Sequence, residues 1–185
     1  MNIYGKKVVL RAMEMGDCKL IIDMFNDPAI ENLVGGWALP LSMFSQQKWL
    51  EQHYNDQNAF RFVIDTKEDG AVGIITLTEI NWKNRSASLG AKIASKDNRS
   101  KGYGTDALMA MVRYVFDELG FHRLEATRLA MNQASARLLE KCGFMEEGVK
   151  REYIYKGGKY IDLVIESILA EEYYELIDKN HYWEM

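Results

Sequence analysis

Cysteine, histidine and proline are scarce in this chain of 185 residues, and each scarcity excludes something. The two cysteines, Cys18 and Cys142, stand far apart with no CxxC pair. That excludes a disulfide scaffold and fits free thiols in a reducing compartment. His53, His122 and His181 have no metal-ligand spacing, so no metal is expected. Only Pro28 and Pro40 interrupt the backbone, and no linker, repeat or low-complexity tract is visible. One domain over residues 1–185, with its core at about 8–174, is the expectation. No apolar run approaches the roughly 18 residues of a membrane span, and the first five residues carry no apolar signal-peptide core. A cytoplasmic protein without a membrane partner follows as an expectation. The formal net charge is −4, so the basic footprint of a general nucleic-acid binder is missing as well.

What is present is ordinary globular composition, 48% hydrophobic and 27% charged. Residues 8–12 read as a strand. A helix over 18–25 follows, with Leu20, Ile21, Met24 and Phe25 at helical spacing. The breakers Asp27-Pro28, Gly35-Gly36 and Pro40 make 26–41 a loop or broken helix. Ser42 or Ser45 caps a second helix ending at Tyr54. Residues 60–65, 71–80 and 87–94 read as three strands, the first two joined by an Asp69-Gly70 hairpin turn. A helix over 105–119 is apolar on most sides and must pack deep in the domain. A strand over 123–130 and a helix over 132–141 come next. The strands 149–155 and 160–169 flank Lys156-Gly157-Gly158-Lys159, a hairpin signal. The tail after Glu171 is expected to be partly helical and to fray at its end. The early hairpins imply antiparallel pairs, and the later strand-helix-strand unit implies a parallel pair. The fold class expected is α/β (α+β), a single mixed, twisted sheet with helices on both faces.

The segment richest in chemistry is Asn98-Arg99-Ser100-Lys101-Gly102-Tyr103-Gly104-Thr105, between a strand and the buried helix. The first N–H groups of a helix lack intrahelical partners and lie at the positive end of its dipole. A loop of small residues can turn further N–H groups inward, forming a nest for a pyrophosphate. Arg99 and Lys101 add charge. A tight strand-to-helix connection with solvated bases is the plainer reading. The P-loop pattern GxxxxGK[ST] is absent. Gly102-x-Gly104-x-x-Ala107 also fits a dinucleotide pattern, with Glu125 about 20 residues on. However, it follows some hundred residues of hairpins rather than opening the fold.

Arg99-x-x-Gly102-x-Gly104 resembles the coenzyme A pyrophosphate signature [QR]-x-x-G-x-[GA] of the GNAT superfamily. Asn132-x-x-Ser135-x-Arg137-Leu138-x-Glu140-Lys141-x-Gly143-Phe144 is similar to that family's next helix and its exit. Gly148, Tyr155, Gly158, Tyr160 and Asp162 resemble the hairpin of one branch. That branch holds the ribosomal-protein N-terminal acetyltransferases and the bacterial spermidine N-acetyltransferases. Phe62-Val63, Glu79-Ile80-Asn81 and Ala87 are similar to the spermidine enzymes in particular. The resemblance covers residues 8–174 and implies a GNAT-like acetyltransferase fold. It also implies transfer of acetyl from acetyl-coenzyme A to an amine, directly within a ternary complex.

The resemblance further implies a coenzyme wedge between two splayed parallel strands. Ile93 and Ala94 would lie along the pantetheine arm, with a backbone N–H near Ile93 on the acetyl carbonyl. The amides of Ser100, Lys101, Gly102, Tyr103, Gly104 and Thr105 would take the pyrophosphate. Asn132 would bond the pantetheine, or simply cap its helix. The tyrosine that many relatives use as acid is here Leu139, and the glutamate frequent in the next strand is here Ser88. Ser135 is then the nearest substitute acid, and Glu79 the base or amine contact, with Glu152 and Asp162 as alternatives. Asp162 suits a structural role in the hairpin. Trp37, Trp49, Tyr153 and Tyr155 are candidates for an acceptor pocket or for plain core, and Gly35-Gly36-Trp37 for a loop closing over the acceptor. Expected acceptors are a polyamine or other small amine, a protein N-terminus, then an amino sugar or amine antibiotic. A homodimer is possible by analogy with relatives. A coenzyme A-binding regulatory module without catalysis and a nicotinamide oxidoreductase stand as alternatives.

Overall fold

Two glycine-bearing turns and one unusually apolar helix organise the molecule, a computed structural model describing residues 1–36, 39–53 and 56–184 and, of Lys96, the backbone. Strands β3 (Phe60–Thr66) and β4 (Gly70–Asn81) meet at a turn closed by the Thr66 hydroxyl. That hydroxyl donates to Gly70 O at 3.1 Å and accepts from Asp69 N at 3.0 Å. Strands β7 (Met145–Lys156) and β8 (Lys159–Leu169) meet at Gly157 and Gly158. Both have positive φ, 59° and 80°, as a two-residue hairpin turn demands.

The remaining strands are β1 (Ile3–Tyr4), β2 (Val8–Ala12), β5 (Ser86–Ile93) and β6 (Arg123–Leu129). All eight form one sheet in the order β1-β2-β3-β4-β5-β6-β8-β7. Every neighbouring pair is antiparallel except β5 and β6, which run parallel. This is the mixed sheet expected from the sequence. It is not the parallel, doubly wound sheet of a dinucleotide fold, so the nicotinamide reading loses its structural basis.

Helices cover both faces. On one face lies α4 (Tyr103–Arg113), whose residues Ala107, Leu108, Met109, Ala110, Met111 and Val112 are all buried. They pack with Ile75 and Leu77 of β4, Ala87 and Leu89 of β5, and Leu124 and Ala126 of β6. Helix α5 (Gln133–Lys141) adds Leu139 to the same cluster, and α6 (Ala170–Asn180) adds Tyr173. Beyond Arg113 the chain widens into a π-helical turn, Tyr114–Glu118. The opposite face carries α1 (Cys18–Asn26) and the short α2 (Pro28–Glu31). Their Ile21, Met24 and Ile30 form a second cluster with Ile74 of β4. Helix α3 (Met43–His53) begins where Ser42 and Ser45 bond reciprocally, Ser45 N reaching Ser42 Oγ at 3.1 Å. Tyr54, its expected last residue, lies outside the described residues. No helix among the described residues is long and apolar enough to cross a membrane.

The tail, expected to fray, is fastened instead. Tyr182 donates its hydroxyl to Asp106 Oδ1 at 2.9 Å, and Trp183 donates its indole N–H to Tyr173 at 2.9 Å. Arg113 stacks 3.7 Å from the Trp183 ring. Asp106 is itself buried and accepts from the backbone N–H groups of Lys6, Lys7 and Val8 at 2.9, 2.6 and 3.0 Å. One carboxylate on α4 therefore ties the β1–β2 turn and the C-terminus to the start of that helix.

Candidate active site

The parallel ladder between β5 and β6 is only three residue pairs long: Ser86 with Arg123, Ala87 with Leu124, and Ser88 with Glu125. Beyond them β5 stays paired with β4 as far as Ile93, and β6 with β8 as far as Leu129. The two strands therefore separate from Ser88 and Glu125 onward, leaving a wedge with one free backbone edge on each side. Ala94 N–H donates to Val72 O at 2.8 Å, so that amide is spent on the β4 side. Backbone groups of successive strand residues point to opposite sides. The N–H of Ile93 consequently faces the wedge, and that of Ala94 does not.

At the wide end of the wedge stands the start of α4. Its N-cap is Gly102, with φ 88° and no side-chain cap. Ser100 is also in the left-handed region, with φ 64°. Among the described residues, the N–H groups of Tyr103, Gly104 and Thr105 find no acceptor; the first turn-closing bond is Asp106 N to Gly102 O at 3.0 Å. Unpaired helix N–H groups attract anions. A Cβ on Gly104 would make only ordinary contacts, with Leu138 at 3.6 Å and Ile93 at 3.9 Å.

The side chains of this loop are less free than the sequence suggests. Lys101 donates to Asp69 Oδ2 at 2.7 Å, so its charge is already answered. Tyr103 is buried, and its hydroxyl donates to the same oxygen at 2.7 Å. That hydrogen bond pushes the Tyr103 phenol up to about 12, while Lys101 and Tyr103 hold Asp69 below the ordinary carboxylate range. Both residues thus shape the loop, and Arg99, half-buried, is outside every ion pair among the described residues. Lys7, which sequence reasoning missed, braces the loop from outside by donating to Lys101 O at 3.0 Å.

Across the wedge mouth, Asn132 caps α5 by accepting from Ser135 N at 3.0 Å. Its amide N–H₂ donates to Leu33 O at 2.8 Å and keeps one donor spare. The Ser135 hydroxyl is half-buried and has no protein partner among the described residues. Arg137 is exposed. Leu139 is buried in the main core, so the family's frequent acid position is structural here.

The α1–α2 face roofs the wedge. Lys92 on β5 donates to Glu31 Oε1 at 2.8 Å and lies 3.9 Å from the centre of the Phe25 ring. Glu31 is buried, and its Oε2 has no hydrogen-bond partner among the described residues. Lys156 at the β7–β8 turn donates to Glu31 O and, at 2.6 Å, to Val34 O. With Asn132 on Leu33 O, three separate elements hold residues 31–34 in place. These bonds fix the backbone as far as Val34; of the Gly35-Gly36-Trp37 segment considered for closing over the acceptor, Trp37 lies outside the described residues, as does Ala38. None of the three ties was visible from sequence, where a lone lysine in a strand reads as surface.

Glu79 is exposed and sits at a bulge in β4 with φ 52°, next to Thr78, whose register partner is Ser88. Asp162 accepts from Glu152 N at 2.7 Å, the structural hairpin role anticipated for it, and Glu152 is exposed on the edge strand. Of the aromatic candidates for an acceptor pocket or for core, Trp37 lies outside the described residues. Trp49 stacks on His53 at 4.7 Å and carries Arg61 at 4.8 Å over its ring. Tyr153 and Tyr155 are exposed at 58% and 65%, which excludes them from the core.

The model of the family described as Acetyltransferase (GNAT) domain matches residues 7–145, which take in the wedge and the loop before α4. The chain belongs to the GNAT acetyltransferase family. Among its relatives, spermidine N(1)-acetyltransferase of Vibrio cholerae is 30% identical over 171 residues, covering 91% of this chain and 96% of that protein. The [ribosomal protein uS5]-alanine N-acetyltransferase of Escherichia coli is 26% identical over 140 residues, 75% of this chain and 69% of that one. The crystal structure of the Vibrio cholerae spermidine enzyme in complex with CoA and spermine superposes with a TM-score of 0.84 at 27% identity. It covers 91% of this chain and 98% of the other. This GNAT protein is therefore an N-acetyltransferase, and its family takes the acetyl group from acetyl-coenzyme A. The geometry fits that donor: a free strand edge and an uncapped helix start converge at the wedge mouth.

Proposed function

We propose that this GNAT enzyme acetylates a primary amine, with polyamines first among its acceptors, then other small amines and protein N-termini. Transfer is direct, within a ternary complex of enzyme, acetyl donor and amine. The observation that carries the reading is the early end of the β5–β6 ladder at Ser88 and Glu125, beside an uncapped α4. Likeness to a spermidine N(1)-acetyltransferase over 91% of the chain supports the polyamine preference. So do the carboxylates on the strands flanking Ser88.

The donor supplies an acetyl group on a thioester, a carbonyl already reactive toward a neutral amine. The chain's own residues do the rest. The amides of Ser100 to Thr105, with Arg99, hold the pyrophosphate. The wedge-facing edge of β5 holds the pantetheine, and Ile93 N–H donates to the acetyl carbonyl oxygen as charge develops there. The spare N–H of Asn132 completes the grip on the arm. Arg137 stands on the exposed side of α5 beside it. Ala94, its amide spent on Val72 O, only continues the strand beyond Ile93. Glu79, exposed on β4, draws the cationic acceptor in. Ser135, with its hydroxyl uncommitted, protonates the departing thiolate; an alkyl thiol leaves readily, so this help is modest. The roof over residues 31–36 excludes water on the acceptor side.

Thiol release from acetyl-coenzyme A, followed with spermidine, spermine, simple amines and Ser- or Ala-starting peptides, tests the reading. Turnover concentrated on polyamines is expected. Turnover on peptides alone would move the acceptor to protein N-termini. Tight coenzyme A binding with silence across all amines would overturn the catalytic assignment.

A further inference from the structure

The carboxylate that many relatives carry at the position of Ser88 is absent, yet the register supplies one from the neighbouring strand. Glu125 on β6 is the parallel partner of Ser88 on β5, and theirs is the last pair before the strands part. Ala87 and Leu124, one residue earlier, are both buried in the core with α4. Side chains alternate along strands. Ser88 and Glu125 therefore point to the opposite face, where Lys92 meets Glu31 of α2. That is the acceptor face, at the apex of the wedge.

The Glu125 side chain is 38% exposed, so it is open to an incoming ligand. Among the described residues its one charged contact is Arg123 at 3.2 Å, and Arg123 is bound more closely elsewhere. Its guanidinium grips Glu147 at 2.6 and 2.5 Å and reaches Ser167 Oγ at 3.1 Å. Glu125 is thus oriented by a fixed arginine without being consumed by it. Glu79 flanks Ser88 from the other side, beside Thr78.

We infer that Glu125 takes the proton from the acceptor ammonium, doing from β6 what a glutamate at position 88 does from β5. This rests on the amine-acetyltransferase reading above. The Ile93 amide stands five residues beyond Ser88 on β5, about 16 Å along the strand, so the ammonium gives one proton to the Glu125 carboxylate through a short chain of waters. The freed nitrogen lone pair forms the N–C bond to the acetyl carbonyl carbon, and the C–S bond breaks. The second N–H proton leaves with the thiolate, so the products are a neutral amide and a free thiol. Glu125 then returns its proton to solvent.

The test compares the parent with Glu125→Gln, Glu79→Gln and the double variant Ser88→Glu with Glu125→Gln. Turnover, coenzyme A affinity, Tm and calorimetric binding of spermidine to the enzyme–coenzyme A complex are measured for each. Glu125→Gln is expected to lower kcat on spermidine by roughly 10²-fold or more, and to weaken spermidine binding, with coenzyme A affinity and Tm unchanged. The Ser88→Glu addition is expected to recover at least about tenfold of the lost rate, because the two positions share one level and one face. Glu79→Gln is expected to raise the amine KM and spare kcat. An active parent with Glu125→Gln within about threefold of it overturns the inference alone. So does a loss matched by falling coenzyme A affinity, or one that Ser88→Glu leaves unrepaired. A parent silent on every amine overturns the reading of function and this inference with it.

Discussion

Replacing Lys92 by methionine isolates the bond that holds the roof of the wedge. Lys92 and Glu31 are 2.8 Å apart, with side chains 18% and 8% exposed. Among the described residues Glu31 Oε2 has no partner and Lys92 is the one cation paired with that buried carboxylate. Methionine keeps the length and the packing on Phe25 but removes the charge. An uncompensated buried charge costs about 3–5 kcal/mol, and the partial exposure of Lys92 places the expected loss at the lower end, about 3 kcal/mol. For a chain of this size that corresponds to a fall in Tm of roughly 6–12 °C. Replacing Glu31 by methionine as well removes the stranded charge. The double variant is expected within about 1 kcal/mol of the parent, because an apolar pair replaces a buried ion pair at little cost. Urea unfolding of the parent, both single variants and the double variant gives the coupling directly. A Lys92→Met loss under about 1 kcal/mol refutes the argument, as does a double variant no more stable than Lys92→Met.

Gly102→Ala forces an alanine into φ 88° and brings its Cβ to 3.4 Å from Lys7 Nζ, so it is expected to cost about 1 kcal/mol and to raise the acetyl-coenzyme A KM. Gly104→Ala, with ordinary contacts only, is expected to do neither; steady-state kinetics and Tm separate the two. Glu147 is held down to about 2 from its ordinary 4.5, first by Arg123 and then by Ser167. A depressed carboxylate stabilises the fold above its unfolded pKa and loses that contribution as pH falls through the folded one. Acid titration of Glu147→Gln should therefore show a smaller drop in stability between about pH 4.5 and 2, by under about 1 kcal/mol, since the side chain is 43% exposed. Burial pushes the Cys142 thiol up to about 12, and burial also raises Cys18. Ellman's reagent should find no reactive protein thiol in the native state at pH 8 and two after denaturation. Leu139→Tyr, which restores the family's frequent residue, is expected to destabilise by about 1–3 kcal/mol without raising kcat, read from denaturation and turnover, because that side chain is buried in the core.

Most of the sheet was legible because its turns are made by local chemistry. Asp69-Gly70 and Gly157-Gly158 announce hairpins whatever the rest of the chain does, and both form. The apolar run in α4 has no reading other than burial. What escaped is non-local. Asp106 looks like part of a polar stripe until Lys6, Lys7, Val8 and Tyr182 arrive from about 100 residues upstream and 76 downstream. The tail was expected to fray for the same reason: nothing nearby in sequence shows that Trp183 meets Tyr173 and Arg113. Strand β1 and helix α2, at two and four residues, are too short for periodicity to register.

The site divides along the same line. The half proposed to hold the anion is a continuous stretch, Arg99 to Thr105, and the acceptorless N–H groups of Tyr103, Gly104 and Thr105 follow from glycine at the N-cap and can be read from the chain. The half proposed for the acceptor draws on β4, β5, β6, α2 and the β7–β8 turn, so no window of sequence contains it. Ser88 alone looks like a lost carboxylate. In the sheet, Ser88 stands beside Glu125 on one strand and Thr78-Glu79 on the other. A strand position can change residue type while the face it belongs to keeps its charge, because register joins neighbouring strands at one level. On the inference drawn for Glu125, the unit required at the apex is a carboxylate on that face, not a glutamate at one sequence position.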